Sequence, residues 1–307
     1  MSGGEGSEEG DTSCECCASC GIAELDDMKL VPCVGCDLVK YCSDECTENH
    51  KSQHEEDCKK RAAELRDELL FKQPESSHLG DCPICCLPLS LDRKKSAVLA
   101  CCSKIVCNGC YYANGLRELR MRLALSCPFC RKSLTKTSEE VDQRHVERIE
   151  VNDPVALLQH GAEQDNKGNY RSAFHYYTRA AALGDAWAHY CLALLYQLGR
   201  GVDKEKGKHI QYLEEAAIGG HPNARFRLGV HEWNNGNIER AVKHWIIAAT
   251  QGDDNSMEAL MDAFKEGFVE KEEFAATLRA KKAAVDAMKS PQREEAEKVL
   301  EKWRKRA

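Results

Sequence analysis

The sequence predicts a mainly α protein: a C-terminal α-solenoid of helix–turn–helix repeats, preceded by two small cysteine-rich modules. Three observations carry this. Of 19 cysteines in 307 residues, 18 lie before residue 131, and the exception is Cys191. Beyond Pro154 a short phrase recurs at the spacing of a helix pair. Between its copies, apolar residues repeat with helical periodicity.

The repeated phrase is A-A-x-x-G-x-x-x-small. It occurs at Ala180–Ala188, Ala216–Ala224 and Ala248–Ser256. Gly184 to Gly220 is 36 residues and Gly220 to Gly252 is 32. The four-residue difference falls in one loop, Gln197–Asp203, whose counterpart is the shorter Asn234–Asn237. The Ala pair lets a neighbouring helix approach closely. Gly supplies the positive φ that closes the helix, and Asp or Asn near the next start caps the following one. Amphipathic runs fill the intervals: Phe174, Tyr177 and Ala181; Cys191, Leu192, Leu195 and Tyr196; Ile210, Leu213 and Ala217; Val242, Trp245, Ile246 and Ala249. These faces stack into a continuous core, with Cys191 as a small apolar member. Residues 154–266 resemble the Sel-one-like repeats of the tetratricopeptide superfamily. That resemblance implies a concave face that holds a peptide or protein.

Composition excludes other classes. With 43 basic and 50 acidic side chains the net charge is −7, which argues against nucleic acid as the main partner. No apolar run approaches the ~20 residues of a membrane span, and Met1–Thr12 has no apolar signal region. A reducing compartment, cytoplasmic or nuclear, is expected. There, thiols at C-x-x-C spacing read as zinc ligands rather than disulfides.

The first cluster places Cys17-x2-Cys20, Cys33-x2-Cys36, Cys42-x3-Cys46 and His54-x3-Cys58 in order. Eight soft ligands in four pairs suit two tetrahedral zinc ions. Cys42/Cys46 and His54/Cys58 are spaced i, i+4, so each pair projects from one helix face. Tyr41 reads as a packing anchor. Cys14-x2-Cys17 is an alternative first knuckle, and His50 is an alternative to His54. Residues 17–58 resemble the MYND zinc finger. The resemblance implies one ion on Cys17, Cys20, Cys42 and Cys46, and another on Cys33, Cys36, His54 and Cys58. Thr47 and Lys51 stand where that family commonly carries Gln and Trp. The Trp that helps form its peptide groove is therefore missing.

The second cluster comprises Cys82-Pro83-Ile84-Cys85, Cys101-Cys102, Cys107-x2-Cys110 and Cys127-Pro128-Phe129-Cys130, eight thiols for two more zincs. Four ions are expected in all. Cys86 is a spare thiol, and adjacent ligands at Cys101 and Cys102 strain a chelate. Residues 79–135 resemble an all-cysteine RING domain. The implied cross-brace puts Cys82, Cys85, Cys107 and Cys110 on one ion, and Cys101, Cys102, Cys127 and Cys130 on the other. The family's docking surface for a ubiquitin-conjugating enzyme matches Ile84, Pro128 and Arg131. The plainer reading of these three is knuckle geometry and a solvated charge.

The expected organisation is a disordered tail (1–13), a MYND-like finger (14–58), a charged helix and linker (59–78) and a RING-like finger (79–135). A connecting helix (136–153), helical repeats (154–266) and charged capping helices (267–307) follow. No nucleophile or phosphate loop marks a catalytic residue. The resemblances together imply a RING-type ubiquitin ligase that recruits substrate through its repeats and first finger. The alternative is a non-enzymatic adaptor joining proteins.

Overall fold

The structure is a computed structural model that describes residues 16–24, 28–135 and 137–305. Cys14, the alternative first ligand, lies outside them. The chain divides into two compact units, residues 1–70 and 71–307.

In the first unit, strands β1 (Val31–Pro32) and β2 (Lys40–Tyr41) pair antiparallel and lead into a 27-residue helix, α1 (Asp44–Leu70). The apolar core is minimal: Cys17, Leu30 and Tyr41, with Cys33, Cys42 and Cys46 packed around them. So little burial cannot offset the entropy of ordering the chain, and a cross-link must contribute. One face of α1 carries Cys46, His50, His54 and Cys58 at successive four-residue steps. Beyond Cys58 the same stripe becomes charged, with Arg61 bridging Glu64 and Glu68.

The second unit opens with residues 71–78, which form neither helix nor strand but are pinned along the repeats. Arg225 Nη2 donates to Lys72 O (3.3 Å), Thr250 Oγ1 to Gln73 Oε1 (3.1 Å), and His78 N to Gly220 O (3.2 Å). The second cysteine module follows. Antiparallel strands β3 (Ser96–Val98) and β4 (Ile105–Cys107) run into α2 (Asn108–Arg120), over a core of Leu89, Leu99, Val106 and four cysteines. A connecting helix, α3 (Ser138–Glu150), ends before Pro154, which opens the next helix at its first turn.

The repeats are helix hairpins: α4 (Pro154–Asn166) with α5 (Tyr170–Ala182), α6 (Ala186–Leu198) with α7 (Lys206–Ile218), and α8 (Pro222–Asn234) with α9 (Ile238–Thr250). Helices α10 (Asp254–Lys265) and α11 (Lys271–Ala287) follow. The first helix of each pair is capped from the same register position. Asp153, Asp185, His221 and Asp253 accept from the backbone N–H groups of Ala156, Ala188, Ala224 and Ser256. Gly184, Gly220 and Gly252 precede three of these caps with φ of 84°, 81° and 100°, as the turn requires. The four-residue insertion lies in the α6–α7 loop, as the spacing predicts. There Gly201 comes so close that a Cβ would sit 2.6 Å from the Tyr170 carbonyl carbon.

Beyond α11 the chain reverses. Helix α12 (Pro291–Arg304) packs on α2 of the second cysteine module, burying Ala296 completely. No helix among the described residues is long and apolar enough to cross a membrane.

Candidate metal centres

Four groups of side chains converge. Within each, the candidate ligand atoms all lie within 4.8 Å of one another: Cys17, Cys20, Cys42, Cys46; Cys33, Cys36, His54, Cys58; Cys82, Cys85, Cys107, Cys110; and Cys101, Cys102, Cys127, Cys130. The sulfurs of Cys20 and Cys42 are 3.5 Å apart, those of Cys33 and Cys58 3.7 Å, and those of Cys85 and Cys107 3.8 Å. Cys102 and Cys127 are separated by 3.9 Å, and Cys101 and Cys130 by 3.3 Å. Four thiolates about 2.3 Å from a tetrahedral zinc stand about 3.8 Å apart, whereas a disulfide needs about 2.05 Å. The donor sets and spacings therefore fit four zinc ions. Adjacent Cys101 and Cys102 both reach one centre, on a turn closed by Ser103, which takes a positive φ of 54° and donates its N–H to Leu99 O.

The local chain explains how each pair is aimed. In four C-x-x-C knuckles the next residue is left-handed: Gly21 (74°), Asp37 (57°), Cys86 (53°) and Arg131 (63°). Each returns its N–H to the carbonyl of the first cysteine, at 2.8, 3.2, 2.8 and 3.0 Å. Cys86 is thus the closing residue of a knuckle, exposed and outside the tetrads. The Cys107/Cys110 pair is built differently. Cys107 is the N-cap of α2, and its sulfur accepts from Cys110 N at 3.4 Å.

The electrostatics favour a cation at each centre. Burial alone would raise the Cys17 thiol, but N–H groups of Cys20, Cys42 and Ser19 hold it down to about 6. Cys33, Cys82 and Cys130 are likewise brought to about 7 against burial, chiefly by N–H donors from Gly35, Cys107 and Lys132 respectively. One thiolate per centre then resists the next. Hydrogen bonds to Cys20 and Cys46 push Cys42 up to about 12, and burial with Cys33 pushes Cys58 up to about 11. A divalent cation relieves that repulsion.

His54, not His50, joins the second centre: its Nε2 lies 3.0 Å from Cys36 Sγ. His50 Nδ1 is 3.1 Å from the Tyr41 hydroxyl, and its ring stacks on His54. Lys51 is exposed and paired with Glu48.

The three expected docking residues differ in fate. Ile84 is 40% exposed. Pro128 is buried, and Phe129 beside it is 42% exposed. Arg131 is exposed and donates to Asn114 Oδ1 at 2.9 Å. Sequence reasoning missed Phe129, Asn114 and Glu118. Buried Glu118 accepts from Ser126 N (2.9 Å) and Oγ (2.5 Å), tying α2 to the residue before Cys127; these bonds hold its carboxyl below the usual range.

The MYND finger family matches residues 14–58. The first module is a MYND finger. No curated protein matches the chain. Among solved structures, a Sel1 repeat protein from Oxalobacter formigenes is similar at 24% identity and a TM-score of 0.42, over 57% of this chain and 72% of that one. The protective antigen c5321 of uropathogenic Escherichia coli, described as having an SLR fold, is similar at 19% identity and a TM-score of 0.38. That likeness covers 64% of this chain and 40% of the antigen. The chain thus joins a zinc-binding MYND finger, a protein-interaction module, to a run of helical hairpin repeats.

Proposed function

We propose that the chain is a RING-type ubiquitin ligase. The second cysteine module docks a ubiquitin-conjugating enzyme, and the repeats together with the MYND finger recruit the substrate. The observation that carries this reading is the alternation of ligand pairs, which the first module shares, combined here with exposed apolar and basic groups on two of the knuckle loops. The first and third pairs of the module share one centre, and the second and fourth share the other. Cross-bracing of this kind presents two knuckle loops on one rigid body. Exposed Ile84 lies on one loop, with Phe129 and Arg131 on the other.

Such a module supplies no nucleophile. The substrate amine attacks the ubiquitin thioester carbonyl, and the thiolate that leaves belongs to the conjugating enzyme. The ligase contributes orientation, which can be worth several kcal/mol of barrier. Ile84 and Phe129 supply apolar contact area, and Arg131 supplies a guanidinium braced by Asn114.

The test is ubiquitin discharge with a panel of purified conjugating enzymes. Wild type should accelerate discharge with at least one of them, and Ile84→Ala and Arg131→Ala should lose most of that acceleration. Equal rates in all three proteins, with zinc content unchanged, would remove the ligase reading. What favours the second reading, a non-enzymatic adaptor, is buried Pro128. Under it, the same module serves only as a rigid joint between bound proteins.

A further inference from the structure

Helix α12 reaches back to a single metal centre. The Arg293 guanidinium donates from Nη1 to Pro88 O (2.7 Å) and Met288 O (2.8 Å). From Nη2 it donates to Leu87 O (3.0 Å) and to the sulfur of Cys85 (3.3 Å). Gln292 Nε2 donates to Gly109 O at 3.0 Å. Gly109 stands between ligands Cys107 and Cys110, and a Cβ there would lie 2.9 Å from Arg293 Cα. The helix therefore touches both knuckles of this centre: the loop after Cys85 and the turn that holds Cys107 and Cys110.

We infer that Arg293 is an outer-shell partner of the Cys82/Cys85/Cys107/Cys110 centre, so that seating of α12 and retention of the ion are coupled. The inference rests on the zinc reading of that tetrad. Four thiolates around a divalent ion leave two negative charges in a largely buried site. A guanidinium against one sulfur offsets part of that charge and fixes the sulfur's direction. Its planar fork meets a thiolate and three carbonyls at once. An ammonium cannot span that set. The coupling is reciprocal: whatever displaces α12 loosens the ion, and loss of the ion frees the helix.

The experiment measures zinc leaving the purified full-length protein into excess 4-(2-pyridylazo)resorcinol, with total zinc determined by mass spectrometry. Wild type should hold four ions. In Arg293→Ala, one of the four should leave about 10–100-fold faster while three keep wild-type kinetics. Arg293→Lys should keep most of that defect. Gly109→Ala should reproduce it with Arg293 still present, although alanine is the better helix former. Glu297→Ala, which breaks only an exposed pair with Lys95, should leave release unchanged. Wild-type kinetics in Arg293→Ala would overturn the inference. So would acceleration of all four ions together, because that marks general unfolding. A wild-type count below four would overturn the zinc reading itself, before any substitution is compared.

Discussion

Gly229 faces the indole of Trp245 so closely that a Cβ on the glycine would lie 2.3 Å from Nε1. The first repeat has the same relationship, with Gly161 against Tyr177 (2.6 Å to Cε1). The equivalent positions of the middle repeat hold Ala193 and Leu213, both fully buried. A large side chain on the second helix is thus matched by the smallest residue on the first.

That matching predicts a rescue. Gly229→Ala should destabilise the repeats by about 1–3 kcal/mol through overpacking. Adding Trp245→Leu should recover part of the loss, since Ala with Leu is what the middle repeat uses. Denaturant unfolding of the double-mutant cycle checks this, and strict additivity of the two changes would refute it.

Chelation should act unevenly along the chain. Stripping the metal should abolish amide protection across residues 16–58 and 82–130, where cysteines supply much of the core. Helices α4–α10 should stay protected, because leucine, alanine and aromatic side chains fill their core. Hydrogen exchange before and after chelation measures both. Retained protection in the cysteine modules would show that zinc does not hold them.

Cys86 offers a local test. It is exposed at φ 53°, a conformation that costs an L-residue about 1–2 kcal/mol and glycine little. Cys86→Gly should raise stability by about 0.5–1 kcal/mol with zinc content unchanged. Loss of an ion in that variant would make Cys86 a ligand after all.

Buried histidines should give the second unit a pH-dependent stability. His244 is fully buried, its ring centroid 4.7 Å from that of Phe71. Burial lowers its pKa from 6.5 to about 3, and the nearby charges of Arg225 and Arg240 push the same way. Burial also lowers His78 to about 4. Between these values and 6.5 the unfolded chain binds more protons than the folded one. Stability is therefore full above pH 6.5 and falls as the pH drops toward 4. Melting temperatures at equal zinc occupancy should decline from pH 7 to pH 5. In His244→Leu that decline should be shallower; an unchanged slope would rule His244 out as a source.

The cysteine spacing by itself determined the knuckles, because a C-x-x-C turn closes within five residues and its hydrogen bonds are local. The spacing of Gly184, Gly220 and Gly252 likewise determined the turns of the repeats, and α3 stops ahead of Pro154 for an equally local reason. The assignment of knuckles to shared centres is not local. Resemblance to known fingers implied it, and the convergence of the side chains supplied the distances. Only the tertiary structure decided that Pro128 is buried and Phe129 exposed, since both fit the same turn. Only it decided that α12 folds back onto α2. Arg293 lies 208 residues from Cys85, and three of the four groups it binds are backbone carbonyls. Carbonyls belong to every residue, so no pattern of side chains could announce that contact before the chain had folded.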